Sequence, residues 1–253
     1  MSETVEFITC AAILGLAVFI HMSVGFGSAL WAVPALLWLG LSHPQTVPMV
    51  STSAMIAALM GTRALREHIK WRHVIPVVVG VAMFMPVGVG MARFMHEHLN
   101  AQIRQLVGGV LIAILIAQQT IRPRPRGRLH WGWGVLAGGM GSVLSGLCGM
   151  GGPPVALWVL AHANWSARQM RGVLIFVALI SSPMNLLWYA LTFPDIAPAA
   201  IGRTLWCTPV LIVCTLLGIW AGGHMNRPLL RRVMVLILWL MGIASIVTPW
   251  LVG

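Results

Sequence analysis

The chain has 253 residues, of which 58% are hydrophobic and only 8% charged, and its mean hydropathy is +0.89. That composition leaves too little polar surface to cover a soluble globule, so we predict an integral membrane protein. The net charge of +11 would suit a nucleic-acid-binding protein, but the arginines lie in short connections between apolar segments, where they orient the chain and meet anionic lipid headgroups. We therefore do not expect nucleic acid as a partner.

Apolar windows recur along the whole chain, and a helix needs about 20 residues to cross the roughly 30 Å hydrocarbon core. The windows at 29–40 and 153–162 are too short to cross, and each follows a glycine cluster. We predict that both are half-helices, either re-entrant or part of a broken span. The predicted helical segments are 5–22, 29–40, 46–63, 73–92, 104–121, 131–147, 153–162, 168–190, 201–222 and 232–250.

A basic linker divides the chain into two parts of similar length. The run Arg122-Pro-Arg-Pro-Arg-Gly-Arg128 has prolines that end a helix and arginines that repel one another into an extended strap. We therefore predict a first membrane repeat at 1–121, a linker at 122–130 and a second membrane repeat at 131–253.

Basic residues cluster in three connections, at 63–72, in the linker and at 227–232. Clusters of this kind stay on the cytoplasmic side of a membrane. If all three are cytoplasmic, five crossings per half put both termini on the outer side. The second half then enters the membrane in the opposite orientation to the first, which is the arrangement of an inverted repeat. The predicted fold is an all-α polytopic membrane protein with two such repeats.

The two halves share a glycine motif. Gly25-Phe-Gly-Ser28 opens the short segment of the first half, and Gly149-Met-Gly-Gly152 opens that of the second. Glycines let backbone N–H groups turn outward, and the first turn of a helix leaves donors unpaired at the positive end of its dipole. Such a place attracts anions. In an inverted repeat both breaks can approach the membrane midplane, so we predict one anion site between them.

Polar side chains of the long segments complete the candidate site. Asn185 is the strongest of these candidates, because a primary amide in hydrocarbon needs several hydrogen-bond partners. Arg171 could reach an anion in the cavity or extend to the cytoplasmic interface. The predicted substrate-binding residues are Gly25, Phe26, Gly27, Ser28, Ser51, Thr52, Gly149, Met150, Gly151, Gly152, Pro153, Arg171 and Asn185.

Simpler interpretations exist for each feature. The glycines could serve only close helix packing, and the serines and Asn185 only interhelical hydrogen bonds worth about 0.6 kcal/mol each. His21 and His162 could relay protons, but we favour the interpretation that both are interfacial histidines.

An enzyme is not expected. The acidic residues all lie near the N-terminus or in loops, which argues against a carboxylate proton relay or metal cage; they are Glu3, Glu6, Glu67, Glu97 and Asp195. The serines of Gly141-Ser-Val-Leu-Ser-Gly146 have no histidine on a neighbouring intramembrane turn to act as a base. The four cysteines, Cys10, Cys148, Cys207 and Cys214, show no paired spacing, so neither a disulfide framework nor a zinc site is indicated.

The stretches Gly25-Phe-Gly-Ser-Ala-Leu-Trp-Ala-Val-Pro34 and Gly149-Met-Gly-Gly-Pro-Pro-Val155 resemble the paired repeat motifs of the sulfite exporter TauE/SafE family. The resemblance covers nearly the whole chain, including Arg171 before an apolar run. It implies a permease of the bacterial inner membrane that needs no cofactor and moves sulfite, sulfoacetate or other organosulfonates. Ser28 departs from the family pattern, which often has another glycine there.

Our leading hypothesis is a secondary transporter that binds a small anion between the two breaks and works by alternating access in the lipid bilayer. Two other functions are compatible with the sequence. A non-transporting membrane assembly subunit would use the glycines as a dry packing surface, and a transporter of a soft metal or thiol compound would use Cys148 and nearby methionines. A homo-oligomer is also compatible with the sequence.

Overall fold

A computed structural model of the protein describes residues 3–98, 129–162 and 164–224, with the separate positions 109, 113, 116, 226, 228, 229, 232 and 236. The described residues form helices and no β-strand. The predicted segments 104–121 and 232–250 and most of the linker 122–130 lie outside them, apart from isolated positions. The α-helices are α1 (Glu3–Val24), α2 (Ser28–Trp38), α3 (His43–Leu65), α4 (Trp71–His98), α5 (Trp131–Cys148), α6 (Gly152–Leu160), α7 (Ala167–Thr192), α8 (Ala197–Trp206) and α9 (Thr208–Gly223), and a 3-10 turn spans Arg66–His68.

Several of these helices fit a membrane. Among the described residues, α1 with 22 residues, α4 with 28 and α7 with 26 are long and apolar enough to cross one. The pair α8 and α9, which meet at an angle of 68°, would make a fourth, broken span. The prediction of an all-α polytopic membrane protein is confirmed.

The two short helices are also confirmed. α2 has 11 residues and α6 has 9. At about 1.5 Å per residue these lengths reach roughly half of a 30 Å hydrocarbon core. Each begins directly after a glycine-rich break, so each chain segment turns back or bends within the depth of the molecule.

The prediction of a single helix at 201–222 is wrong, because the chain forms α8 and α9 there. Pro209 lies in the first turn of α9. It has no N–H, so the carbonyl of Leu205, four residues earlier, loses its helical partner. The Thr208 hydroxyl donates to that carbonyl instead, at 2.5 Å. The break therefore has a local cause that is visible in the sequence.

Matching capping contacts recur in the two halves. The helix after each short helix begins at a serine whose N–H donates to a glutamine side chain three residues later. Ser42 bonds Gln45 Oε1 at 2.9 Å, and Ser166 bonds Gln169 Oε1 at 3.0 Å. Ser166 follows Ser42 by the same number of residues as Gly149 follows Gly25. Caps of this kind fix the residue at which a helix begins.

Helix packing crosses between the halves. α4 of the first half packs along α5 of the second, and α9 of the second half packs along α1 of the first. A β-carbon built at Gly88 would lie 2.5 Å from the carbonyl oxygen of Val143, and one built at Gly218 would lie 2.7 Å from that of Phe19. Only glycine allows backbones to approach this closely. Gly88 and Gly218 thus perform the same task in the two halves.

The basic 63–72 connection and the contact between Glu6 and Arg203 lie at opposite ends of α3. At one end, a β-carbon at Gly172 in α7 would lie 3.5 Å from Ile69, beside the basic residues 63–72. At the other end, Gln45 of α3 and Arg203 of α8 line one small cavity, and Arg203 Nη1 lies 3.7 Å from Glu6 Oε1. The N-terminus and the basic 63–72 connection are therefore at opposite ends of the helical bundle.

Candidate functional site

The two glycine-rich breaks meet at one cavity of about 80 Å³. A β-carbon at Gly152 would lie 2.9 Å from Phe26 Cβ, and one at Gly149 would lie 3.6 Å from Ala29 Cβ. The positive ends of the α2 and α6 dipoles both open onto this cavity. Of the predicted site residues, those that line it are Gly25, Phe26, Gly27, Ser28, Ser51, Gly149, Met150, Gly151, Gly152 and Pro153.

The first break is a backbone turn that requires glycine. α1 ends where the Gly25 N–H donates to the His21 carbonyl at 2.6 Å. Gly25 has φ 102° and Gly27 has φ 107°, values that side chains with a β-carbon resist. Within the described residues, the N–H groups of Phe26 and Gly27 donate to no backbone carbonyl. These donors are available to an anion.

The second break is tighter and offers fewer donors. Gly149 has φ 76°, and its N–H donates to the Ser145 carbonyl at 2.7 Å. Gly151 has an ordinary φ of −71°, but a β-carbon there would lie 2.6 Å from the Gly141 carbonyl oxygen. Pro153 and Pro154 suit the first turn of α6 yet carry no N–H. The positive field of α6 remains, while Gly151 and Gly152 are left to donate.

Serine hydroxyls surround the cavity. Ser28 and Ser51 were predicted, and four further serines also line it: Ser142, Ser145, Ser181 and Ser182. The Ser142 hydroxyl donates to Gly139 O at 2.9 Å, so its oxygen can still accept. The α5 pair, Ser142 and Ser145, was not among the predicted residues, although their three-residue spacing places them on one helix face.

His21 contributes an ionisable ring to the same wall. Its side chain is 5% exposed and lines the cavity, with Nδ1 at 3.1 Å from Ser28 Oγ. The interpretation of His21 as an interfacial histidine is therefore wrong. The signal that could have revealed its place is its position one helical turn before the break. His21 is the only ionisable Asp, Glu, His, Lys, Arg or Cys side chain among the described residues that line the cavity.

His162 lies elsewhere, after α6. Its ring stacks on Trp165 with centroids 4.0 Å apart, and its Nδ1 lies 3.0 Å from Trp158 O. Burial lowers the pKa of His162 below its ordinary value and favours the neutral ring. It does not line the cavity between the breaks.

Three predicted residues do not line the cavity. Thr52 Oγ1 donates to Pro48 O at 2.8 Å within α3. Arg171 is 1% exposed, and its Nη2 donates to Met22 O at 2.7 Å, so it neither extends to an interface nor enters the cavity. Asn185 Nδ2 donates to Ser145 O at 3.0 Å and to Ser145 Oγ at 3.1 Å.

Arg171 and Asn185 nevertheless act on the two breaks from a single helix. Arg171 of α7 bonds the last turn of α1, and Asn185 of α7 bonds the last turn of α5. Tyr189 adds a hydrogen bond from its hydroxyl to Gly146 O at 2.8 Å. α7 therefore holds the ends of both helices that lead into the breaks.

The cavity between the breaks was also searched for carboxylates, reactive thiols and metal ligands among the described residues. No acidic side chain lines the cavity in the described part of the chain. Cys148 is fully buried, and its thiol donates to Leu144 O at 3.2 Å. No group of three His, Cys, Asp or Glu side chains able to hold a metal ion is found within the described ranges.

The fold is that of a multi-pass membrane protein, and its family is one of transporters, not enzymes. Residues 10–245 match the model of the family described as Sulfite exporter TauE/SafE, and the chain belongs to that family. A relative from Cupriavidus necator, named probable sulfite/organosulfonate exporter TauE, is 26% identical over 212 residues, which cover 82% of this chain and 80% of the relative. No solved structure matches the chain.

Proposed function

We propose that the protein exports small sulfur-containing anions, such as sulfite, sulfoacetate or other organosulfonates, across the bacterial inner membrane by alternating access. One observation carries the proposal: the N-terminal ends of two half-helices open onto one cavity lined by serine hydroxyls and free N–H groups. Membership of the TauE/SafE family and the name of the Cupriavidus necator relative support the substrate class.

The cavity chemistry suits an oxyanion. Sulfite and sulfonate oxygens accept hydrogen bonds, and the wall supplies donors from Gly27, Gly151 and the Ser51 hydroxyl. The Ser142 and Ser181 hydroxyls instead donate to backbone carbonyls. The cavity volume of about 80 Å³ is compatible with a small anion such as sulfite.

We further propose that the two membrane repeats, 1–121 and 131–253, are inverted and joined by the cytoplasmic linker 122–130, with both termini periplasmic. The matched contacts of Gly88 and Gly218 support the repeat, and the separation of the basic connection from Glu6 supports the orientation. Because α1 packs along α9 and α4 packs along α5, we expect each of these helix pairs to move as a rigid body during transport.

A thermal-shift experiment tests the site. The purified protein is heated in detergent with sulfite, thiosulfate, sulfoacetate, taurine, sulfate or chloride, and a selective rise in the unfolding temperature with sulfur anions is expected. Ser51→Ala should weaken sulfite binding about fivefold, since one hydrogen bond contributes about 1 kcal/mol. Ser53→Ala is the matched control, because Ser53 lies on the same helix, bonds Val50 O and does not line the cavity.

A transport measurement separates the proposal from a non-transporting assembly subunit. Proteoliposomes loaded with sulfite should release it faster with the protein than without, and Ser51→Ala should slow release at low sulfite concentration. Binding without release, or no stabilisation by any sulfur anion, would count against an exporter.

A further inference from the structure

We propose that His21 is the proton-binding group of this cavity and that the anion enters together with a proton, which the imidazole takes up. The inference rests on the proposed function, because it assigns a role to one residue of the same site. It names the coupling chemistry of transport, which neither the family nor the cavity volume specifies.

The geometry of His21 leaves one ring nitrogen without a partner. Nδ1 lies 3.1 Å from Ser28 Oγ, while the buried Nε2 has no hydrogen-bond partner among the described residues. Buried ring nitrogens in folded proteins are generally hydrogen-bonded. Because the ring forms part of the cavity wall, a positive charge on it acts on whatever occupies the cavity.

The protonation state decides how many donors this pair can offer. With a neutral ring, either Ser28 donates to Nδ1 and Nε2–H is free, or Nδ1–H donates to Ser28 and the hydroxyl proton is free. With a protonated ring, Nδ1–H donates to Ser28 Oγ, and both Nε2–H and the Ser28 hydroxyl are free. One added proton therefore gives the anion a second donor and a full positive charge.

The helices packed against α1 set the electrostatic surroundings of His21. On the elements packed against α1, the charged and titratable groups of α7 are Arg168, Arg171 and Tyr189, and Arg171 is bonded to Met22 O. The others are Arg63, which is exposed near the end of α3 that packs on Met22, Cys214 of α9, and His224 directly after α9. α2 carries none, and His43 lies at the other end of α3. An anion held in the cavity favours the protonated ring, because opposite charges attract.

The proposed step conserves atoms and charge. A proton from the aqueous side that the cavity faces binds the imidazole as the anion enters, and no bond of the anion breaks. Both leave when the cavity opens to the other side. A divalent anion then moves with one negative charge fewer, which lowers the cost of its passage through the membrane.

The pH profile of sulfite binding tests the inference in the full-length protein. The dissociation constant is measured between about pH 5 and 8 for wild type, His21→Gln and His224→Gln. Sulfite's own titration is common to all three proteins and cancels in their ratios. Wild-type affinity should rise, relative to His21→Gln, by up to about tenfold per pH unit as the pH falls, because one proton is linked to binding. His224→Gln, at the exposed histidine directly after α9, should follow the wild type.

Proton uptake provides a second readout. In weakly buffered detergent, sulfite binding should take up about one proton more per site in wild type than in His21→Gln. Should His21→Gln fail to fold, Ser28→Ala replaces it, because loss of the hydroxyl next to Nδ1 must move the midpoint of the pH profile. Equal profiles in wild type and His21→Gln, or an unmoved midpoint in Ser28→Ala, would overturn the inference. Absence of sulfite binding by the wild type at every pH would instead refute the proposed function.

Discussion

The two breaks reach the same cavity with glycines that serve different purposes. In the first, Gly27 has φ 107°, yet the nearest atom to a β-carbon built there, Ile20 Cγ2, is 3.7 Å away. In the second, Gly151 has an ordinary φ of −71°, yet its β-carbon would lie 2.6 Å from Gly141 O. Conformation requires the glycine in one break and space requires it in the other. A shared glycine motif therefore does not establish a shared physical constraint.

The breaks also differ in chemistry. His21 precedes the first break, and Ser145 occupies the corresponding position before the second. The end of α1 is held by the charged Arg171, whereas the end of α5 is held by the neutral Asn185. The histidine in the cavity wall and the charged arginine are both at the first break. Substitutions at the two breaks should therefore have separable effects.

Gly151→Ala should have the largest effect. Its methyl group would meet Gly141 O at 2.6 Å and Ser145 Cβ at 2.8 Å, both too close for van der Waals contact. Overpacking of this kind costs about 1 to 3 kcal/mol, and the displaced wall should abolish sulfite-dependent stabilisation. Thermal unfolding with and without sulfite measures both effects. Gly90→Ala is the control, since nothing lies within 4 Å of that position. Normal sulfite stabilisation in Gly151→Ala would show that the second break need not be tight.

Arg171→Met should have the next largest effect. It removes a charge-assisted hydrogen bond from a guanidinium that is 1% exposed, worth about 1.5 to 3 kcal/mol, and leaves Met22 O without that donor. Lower thermal stability and weaker sulfite binding are both expected. Gly222→Ala should reproduce the stability loss, because its β-carbon would collide with the guanidinium. A stabilised Arg171→Met variant would indicate that the desolvated charge is a net cost to the fold.

Asn185→Leu should destabilise the second break less. It removes hydrogen bonds of 3.0 and 3.1 Å to Ser145, together worth about 2 kcal/mol, without removing a charge. The expected result is a lower unfolding temperature with sulfite affinity changed less than in Arg171→Met, measured under the same conditions. A larger loss of affinity than in Arg171→Met would place the more important electrostatic group at the second break.

Gly27→Ala isolates the conformational requirement. Holding alanine at φ 107° costs roughly 1 to 2 kcal/mol, but the open space around the position should let sulfite still bind. Stability should fall while sulfite-dependent stabilisation persists, in contrast to Gly151→Ala. Loss of binding in both variants would remove the distinction between the two breaks.

Cys148→Val should have the smallest effect. It introduces the side chain found at Val24, the corresponding position before the first break. Cys148 is fully buried, so a change of similar volume should alter stability by less than about 1.5 kcal/mol and leave sulfite binding unchanged. Alkylation of wild-type Cys148 should be slow with or without added soft metal ions. Metal-dependent protection of this thiol would favour transport of a soft metal or thiol compound.

Much of the local structure could be predicted from the sequence. The helices around both breaks begin and end within a few residues of the predicted segments, because apolar run length, glycine and proline act over one or two helical turns. The break between α8 and α9 was missed, although Pro209 marks it, because apolar residues continue on both sides of the proline. These features are properties of short stretches of chain.

The sequence by itself determined a polytopic helical protein with two glycine-rich breaks and two half-helices. Only the tertiary structure decided that both breaks line one cavity, that His21 belongs to its wall, and that Arg171 and Asn185 hold the helix ends from α7. The physical reason is that the neighbouring helices decide which side chains of a helix are buried and what those side chains contact. Residues far apart in sequence, such as Arg171 and Met22, meet only when the packed helices bring them together.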